Sequence, residues 1–382
     1  MTGPRVLLYA QHILGIGHLV RAARIAQAME RAGIDVTVVL GGMPVDGVDW
    51  GGAALQYLPA IRAGEGGYAD LVDADGRPVD DSLREIRRGR LIETFEALRP
   101  DIVLVEAFPF GRRAMRFELI PALEAARSWE RPPVVASSIR DILHENRKAH
   151  LNAQTAELVE RLFDLVLVHG DPKLIALGES FPEADRIGNR VRYTGIVAPD
   201  APGTLKGPAA EVVVSAGGGA VGQLLFQTAL EAHDLCAAGR ASWCFITGPN
   251  LDDDMAARLR ARAVPNVRVE QFRSDFVALL GQARLSISQA GYNTSADILR
   301  AGCRSILVPS AYQGETEQTR RAHLLEARGL ARVVEEGDLS AERLAGVIDD
   351  LWETPVAANP MVPDLDGADT TARLLREAER ER

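Results

Sequence analysis

Cysteine is scarce. Cys236, Cys244 and Cys303 are the only three in 382 residues, an odd number without ligand spacing. That excludes a disulfide scaffold and a cysteine-based zinc site, and fits a reducing cytoplasm. Long apolar runs are missing too; none approaches the roughly 20 residues that a membrane-crossing helix needs. The start, Met1-Thr2-Gly3-Pro4-Arg5, leads straight into a short strand and not into the apolar centre of a secretory leader. Positive charge is in deficit. A formal net charge of −10 argues against nucleic acid as the main partner, because a phosphate backbone needs a basic face. No short-period repeat is present, and no Asp-x-Asp pair ends a strand. Asp252-Asp253-Asp254 reads instead as the acidic start of a helix. What remains is a globular α/β chain, expected in the cytoplasm. At 382 residues it is too long for one core, so two domains are expected.

The first half opens as a βαβ unit. Val6 to Ala10 is a short apolar strand, and His18 to Ala32 carries apolar residues at helical spacing until Gly33 ends it. Gly15-Ile16-Gly17-His18 lies between them, but the G-x-G-x-x-G fingerprint is incomplete and no acidic residue ends the second strand, so a dinucleotide site is not expected here. Gly64 to Asp81 is polar and rich in Gly and Asp, and reads as a long loop. Later strands end in Glu106, in Arg140-Asp141 and in His169. Parallel strands deliver their C-terminal ends to one edge, so His18, Glu106, Asp141 and His169 are expected around one site. Arg84, Arg87, Arg88, Arg90, Arg112, Arg113 and Arg116 have two readings: solvated faces paired with Glu85, Glu93 and Glu118, or a basic patch for an anionic acceptor or a membrane surface.

Ala198-Pro199-Asp200-Ala201-Pro202-Gly203 is the clearest linker. A second α/β series follows it. Val212 to Ser215 is a strand, and Ala216-Gly217-Gly218-Gly219-Ala220 is a glycine turn of phosphate-binding size. The most informative stretch is Ser288-Gln289-Ala290-Gly291-Tyr292-Asn293-Thr294-Ser295-Ala296-Asp297. It reads as strand, glycine turn and helix, with Asn293 or Thr294 as the cap and Asp297 one turn in. A diphosphate at the helix N-terminus and a ribose at Asp297 suit it; so does an ordinary βα turn with an acidic first turn. The domains expected are 1–198, 199–352, and a tail 353–382 whose last helix packs back toward the N-terminal domain.

Several of these stretches together resemble the GT-B glycosyltransferases of family 28. Ser288-Gln289-Ala290-Gly291 with Thr294 and Asp297, then Ala301-Gly302, Val308-Pro309, Glu315-Thr316-Glu317-Gln318 and Ala327-Arg328-Gly329, are similar to the family's C-terminal signature in order and spacing. Ser215 to Ala220 resembles its second-domain glycine loop, Thr247-Gly248 the following strand end, and Phe272 with Asp275 the loop that meets the donor's base. The resemblance implies two Rossmann-like, doubly wound domains facing across a cleft. It also implies a nucleotide-diphosphate sugar, UDP-linked by family default, held mainly by the C-terminal domain. Ser215, Gly217, Gly218, Gly219, Thr247, Phe272, Gly291, Asn293, Thr294, Asp297, Glu317 and Gln318 are the donor-side residues it implies. Asp297 stands where the family has a glutamate, Glu317 where it has a glutamine, and Arg321 where it has an asparagine.

The implied reaction is an inverting sugar transfer without a metal or other cofactor, to a small-molecule or lipid-linked acceptor. Helix termini and backbone donors stabilise the leaving diphosphate. A general base must take the acceptor's proton, and His18 is placed for that, with Glu106 and Asp141 as substitutes. Gly17, Arg140 and His169 fall on the acceptor side. Gly15-Ile16-Gly17-His18-Leu19-Val20-Arg21 also resembles the start of related nucleotide-sugar hydrolases, in which water is the acceptor. A sugar-nucleotide-binding protein without turnover is the third reading. Cytoplasmic placement, with peripheral contact at the inner face of a membrane, accompanies the first.

Overall fold

Short runs of Val, Ile and Leu that are apolar on both faces belong in parallel strands covered by helices on each side. In this computed structural model they form two such sheets. It describes residues 3–13, 15–64, 67–144, 149–218, 222–262, 264–310, 316–354 and 361–382. The chain divides into one unit of 1–197 with 366–382, and a second of 198–365.

The first unit contains β1 (Arg5–Ala10), α1 (Gly17–Arg31), β2 (Asp35–Leu40), β3 (Ala54–Tyr57), β4 (Ile61–Gly64), β5 (Gly67–Asp73), α2 (Asp81–Leu98), β6 (Ile102–Glu106), α3 (Arg116–Arg127), β7 (Val134–Arg140), α4 (Ala149–Leu162), β8 (Leu165–His169) and β9 (Val191–Tyr193). Its main sheet is parallel, in the order β3-β2-β1-β6-β7-β8-β9. The order reverses between β1 and β6, which leaves a crevice at their C-terminal ends.

The second unit contains β10 (Val212–Ser215), α5 (Gln223–His233), β11 (Trp243–Ile246), α6 (Asp253–Arg262), β12 (Val267–Glu270), α7 (Phe276–Gln282), β13 (Leu285–Ser288), α8 (Tyr292–Ala301), β14 (Ser305–Leu307), α9 (Glu317–Glu326), β15 (Arg332–Val333) and α10 (Ala341–Glu353). Its sheet is also parallel, in the order β12-β11-β10-β13-β14-β15, and reverses between β10 and β13. Alternate residues feed the two faces, as the two-residue period of a strand requires. Val212, Val214, Trp243 and Phe245 lie in one core cluster, and Val213, Cys244 and Ile246 in the other.

The last helix, α11 (Gly367–Arg380), belongs to the first unit. Arg376 Nη1 donates to Ala32 O at the end of α1, and Arg382 reaches Asp164. Gly367 is required at the entry. A Cβ there would lie 2.4 Å from Gly195 O. Among the described residues no helix is long and apolar enough to cross a membrane, and Cys236, Cys244 and Cys303 are all unbridged.

Two expectations change. The stretch 64–81 is not loop throughout: Gly67–Asp73 forms β5, which pairs antiparallel with β4, with Ile61 opposite Asp73 and Arg62 opposite Val72. Asp73 Oδ1 then accepts from the N–H groups of Asp75 and Arg77, and Asp80 caps α2 through Leu83 N–H. Asp and Gly in this stretch mark tight turns, which composition alone reads as continuous loop. The cap of α8 is Gly291 in extended geometry, so Asn293 and Thr294 fall inside the first turn. Of the two readings of the arginine group, pairing with acidic neighbours holds for Arg84, Arg87 and Arg88. Arg87 is fully buried, with Nε and Nη2 donating to Glu118 at 2.7 and 2.6 Å, and Nη1 to Gly41 O. Arg84 and Arg88 pair with Asp81 and Glu85 on the exposed face of α2.

Candidate active site and donor site

β1 ends at Ala10 and β6 at Glu106, next to each other at the reversal point of the first sheet. α1 begins at Gly17, which sets His18 on its first turn. His18 Nδ1 lies 2.8 Å from Glu106 Oε1. Arg21, one turn further on, donates through Nη2 to the same oxygen. Glu106 Oε2 accepts from the Ser138 hydroxyl at 2.7 Å. The carboxylate has no exposed surface, whereas the His18 side chain is 20% exposed.

This burial has electrostatic consequences. It pushes the Glu106 carboxyl up, but Arg21 and the hydrogen bonds from His18 and Ser138 outweigh that and hold it well below the usual carboxylate range. Burial, with Arg112 and Arg21 nearby, lowers His18 to about 4 against the pull of Glu106. At neutral pH the pair is therefore a carboxylate and a neutral imidazole. With Glu106 accepting at Nδ1, the proton sits on that nitrogen and Nε2 carries the lone pair. Arg21 Nη2 also lies 3.3 Å from His18 Nδ1, but it serves the carboxylate.

The remaining first-unit candidates lie along the same sheet edge. Asp141, just past β7, is almost wholly buried, and its Oδ1 accepts from Ile142 N–H at 2.8 Å. Arg140 is the last residue of β7 and Gly17 the first of α1. His169, expected on the acceptor side, has no exposed surface and lies between Ser138 and Thr194. In this structure its ring presents no surface to an acceptor. Glu106 is likewise fully enclosed and is hydrogen-bonded to His18.

In the second unit three turns meet beyond the strand ends. Ser215 and Ser288 are paired at the ends of β10 and β13. Gly217 adopts φ +57°, and a Cβ there would stand 3.4 Å from Thr294 Oγ1. Gly248, after β11, has φ +75° and is packed so closely that a Cβ would lie 2.4 Å from Gly217 O. Asn250 N–H donates to Gly218 O at 3.1 Å. Glycine is thus needed at both positive-φ positions, one for conformation and the other for space as well. Ser215 Oγ is buried with no hydrogen-bond partner among the described residues. Thr247 is buried, and its hydroxyl donates to Gly248 O. Asn293 and Asp297 are half-buried on α8. Gly219, and Glu315 of the motif, lie outside the described residues.

Two donor-side residues have internal work. Gln318 Oε1 accepts from Ala290 N–H at 3.1 Å and Ser310 N–H at 3.3 Å, which ties the turns after β13 and β14 together. Glu317 pairs with Arg321 at 2.6 Å, and Arg321 Nη1 donates to Ala290 O. The glutamate and arginine that depart from the family pattern are therefore one feature, an ion pair across one turn of α9. Phe272 is 69% exposed. Asp275 is held by Arg273 at 2.7 and 2.8 Å and accepts from Lys206 and Gly207 N–H groups. The hydrogen bonds from Arg273 keep its carboxyl far below the usual range.

Residues 212–370 match the model of the glycosyltransferase family 28 C-terminal domain. Over these residues, less than half of its length, the chain is similar to family 28. One relative is the UDP-N-acetylglucosamine--N-acetylmuramyl-(pentapeptide) pyrophosphoryl-undecaprenol N-acetylglucosamine transferase of Sinorhizobium fredii. It is 37% identical over 109 residues, which cover 28% of this chain and 29% of the relative. The chain thus spans less than a third of that relative's length. Its fold as a whole is GT-B. MurG of Acinetobacter baumannii superposes with a TM-score of 0.57 at 15% identity, over 99% of this chain and 100% of that one. The calicheamicin glycosyltransferase CalG4 gives 0.61 at 16% identity, over 99% and 95%.

Sequence reading missed how the family 28 signature is supported. Ser138 and Thr194 carried no signal beyond their places at or just past strand ends. Gly248 was visible as half of a Thr-Gly pair, but its contact with Gly217 depends on strand register.

Proposed function

We propose that this chain is an inverting glycosyltransferase that moves a sugar from a nucleotide diphosphate to an acceptor hydroxyl, with His18 as general base. The observation that carries this is the neutral His18, oriented through Nδ1 by a buried carboxylate at the reversal point of the first sheet. The acceptor's proton passes to His18 Nε2 as its oxygen attacks the sugar's anomeric carbon. The carbon–oxygen bond to the diphosphate breaks on the opposite face, and the electron pair leaves with the nucleotide. Glu106 stabilises the imidazolium that forms.

The donor reading rests on the glycine turn at Gly217-Gly218, the start of α8 and the buried Ser215 hydroxyl. Backbone N–H groups at a helix N-terminus favour a diphosphate and offset its charge as it leaves. Charge stabilisation from this source needs no divalent cation, so turnover is expected to persist in EDTA. Uridine is the base proposed, from the relative's UDP-N-acetylglucosamine, and the acceptor is a small-molecule or lipid-linked alcohol. Peripheral placement at a membrane surface belongs to the lipid-linked case.

The test is UDP release from UDP-sugars, with and without a panel of alcohol acceptors, by wild type and His18→Ala. Acceptor-dependent release that falls about 10²–10⁴-fold in the variant, with UDP binding unchanged, supports the reading. Equal release without acceptor would point to hydrolysis instead.

A further inference from the structure

The polar chain behind His18 continues past Glu106. Ser138 Oγ is 2.7 Å from Glu106 Oε2 and 2.8 Å from His169 Nε2. His169 Nδ1 is 2.9 Å from Thr194 Oγ1. Glu106, Ser138, His169 and Thr194 all have zero exposure. They come from neighbouring strands: the first three lie on β6, β7 and β8, and Thr194 directly follows β9.

Valence fixes the direction of the bonds at Glu106 and Ser138. Glu106 is ionised, so it only accepts, and Ser138's single proton goes to it. The Ser138 oxygen must then accept from His169, which makes Nε2 the protonated nitrogen. Burial keeps the ring neutral, with Arg21 reinforcing this and Glu106 opposing it; its pKa falls to about 3. Nδ1 therefore holds a lone pair and takes the Thr194 proton. One tautomer serves the whole chain.

We infer that Ser138 and His169 are positioning residues for His18: His169, fixed as the Nε2–H tautomer by Thr194, keeps the Ser138 hydroxyl on Glu106 and so moderates how strongly Glu106 attracts a proton at His18. This rests on the reading of His18 as the base. Without the Ser138 bond the carboxylate charge is less dispersed, a protonated His18 is better stabilised, and its titration moves to higher pH. Arg21, Arg112 and Glu106 face His18, while Arg21 and Glu106 face His169; none of them is altered by substitutions at 138 or 169. Thr194 Oγ1 is also 2.9 Å from Gly195 O and 3.3 Å from Val168 O, so its one proton has two backbone acceptors besides His169 Nδ1.

The test uses the full-length protein labelled with nitrogen-15 histidine. Long-range proton–nitrogen NMR reads the tautomer of His169, assigned by its loss in His169→Gln. The same spectra follow the His18 titration in wild type, Ser138→Ala, His169→Leu and His169→Gln. The expected result is a neutral His169 protonated on Nε2. The His18 midpoint should rise by about half a unit or more in Ser138→Ala and His169→Leu. It should stay near wild type in His169→Gln, whose amide donates to Ser138 and accepts from Thr194. A proton on Nδ1 in the wild type, or one His18 midpoint in all four proteins, would overturn the proposal. These readouts do not depend on turnover, so an inactive wild type would defeat the transferase reading alone.

Discussion

His18 reads as a base because of where its proton sits. A histidine with its ordinary value near 6.5 would be partly charged at neutral pH, whereas burial beside Arg112 and Arg21 lowers this one to about 4. Deprotonation of the base is then complete well below neutrality. The acidic limb of kcat/KM should have its midpoint near 4 and the profile should be flat from there through pH 7, because only the neutral ring accepts the acceptor's proton. A pH–rate series between 4 and 8 checks this. An acidic limb near 6.5 would mean that His18 titrates as a solvated side chain and that the buried pair does not persist during turnover. Glu106 and Asp141 were read from the sequence as alternative bases. Both are buried, and Asp141 Oδ1 accepts from its own neighbour's N–H.

Among the elements, the three turns at the edge of the second sheet depend on one another through glycine. Gly248→Ala would place a Cβ 2.4 Å from Gly217 O and hold alanine at φ +75°. Strain of about 1–3 kcal/mol and displacement of the Gly217 turn should follow, with nucleotide binding weakened more than thermal stability accounts for. Calorimetry and a melting curve on the same sample separate the two effects. Strands and helices were largely legible here because apolar runs alternating with amphipathic helices leave few options. The hairpin of β4 and β5 was not, since its turn residues dominate the composition of the stretch. Nor was the cap of α8: Asn and Thr are good caps in general, but Gly291, two residues before Asn293, already takes the extended cap geometry. The Glu317–Arg321 pair was visible only as two separate oddities. Side-chain pairing across a helical turn explains both at once.

At the scale of the whole molecule, the buried histidines tie stability to pH. His18 and His169 titrate in the folded chain near 4 and 3, below the ordinary 6.5. Above pH 6.5 both states are neutral and their contribution is fully present. As pH falls below that, the unfolded chain takes up protons that the folded one refuses. Stability should then drop by about 1.4 kcal/mol per pH unit for each histidine. The depressed carboxyl of Glu106 adds a further loss once unfolded carboxylates protonate. Urea unfolding at pH 7.5, 6 and 5 should show this decline, and it should be shallower in His169→Gln; a pH-independent midpoint would contradict the burial argument. Length and the Pro-rich linker led to the expectation of two domains; the structure changes units at residue 197 and returns to the first at 366, later than the 353 expected for the tail.

The central claim is that the family 28 domain holds a nucleotide diphosphate through backbone donors. Its most direct test is calorimetric titration of the protein with UDP, TDP and GDP in EDTA. Saturable binding at one site per chain is expected, strongest for UDP, undiminished by the chelator and weakened in Gly248→Ala. Absence of binding by all three, or binding that appears only when a divalent cation is added, would contradict it.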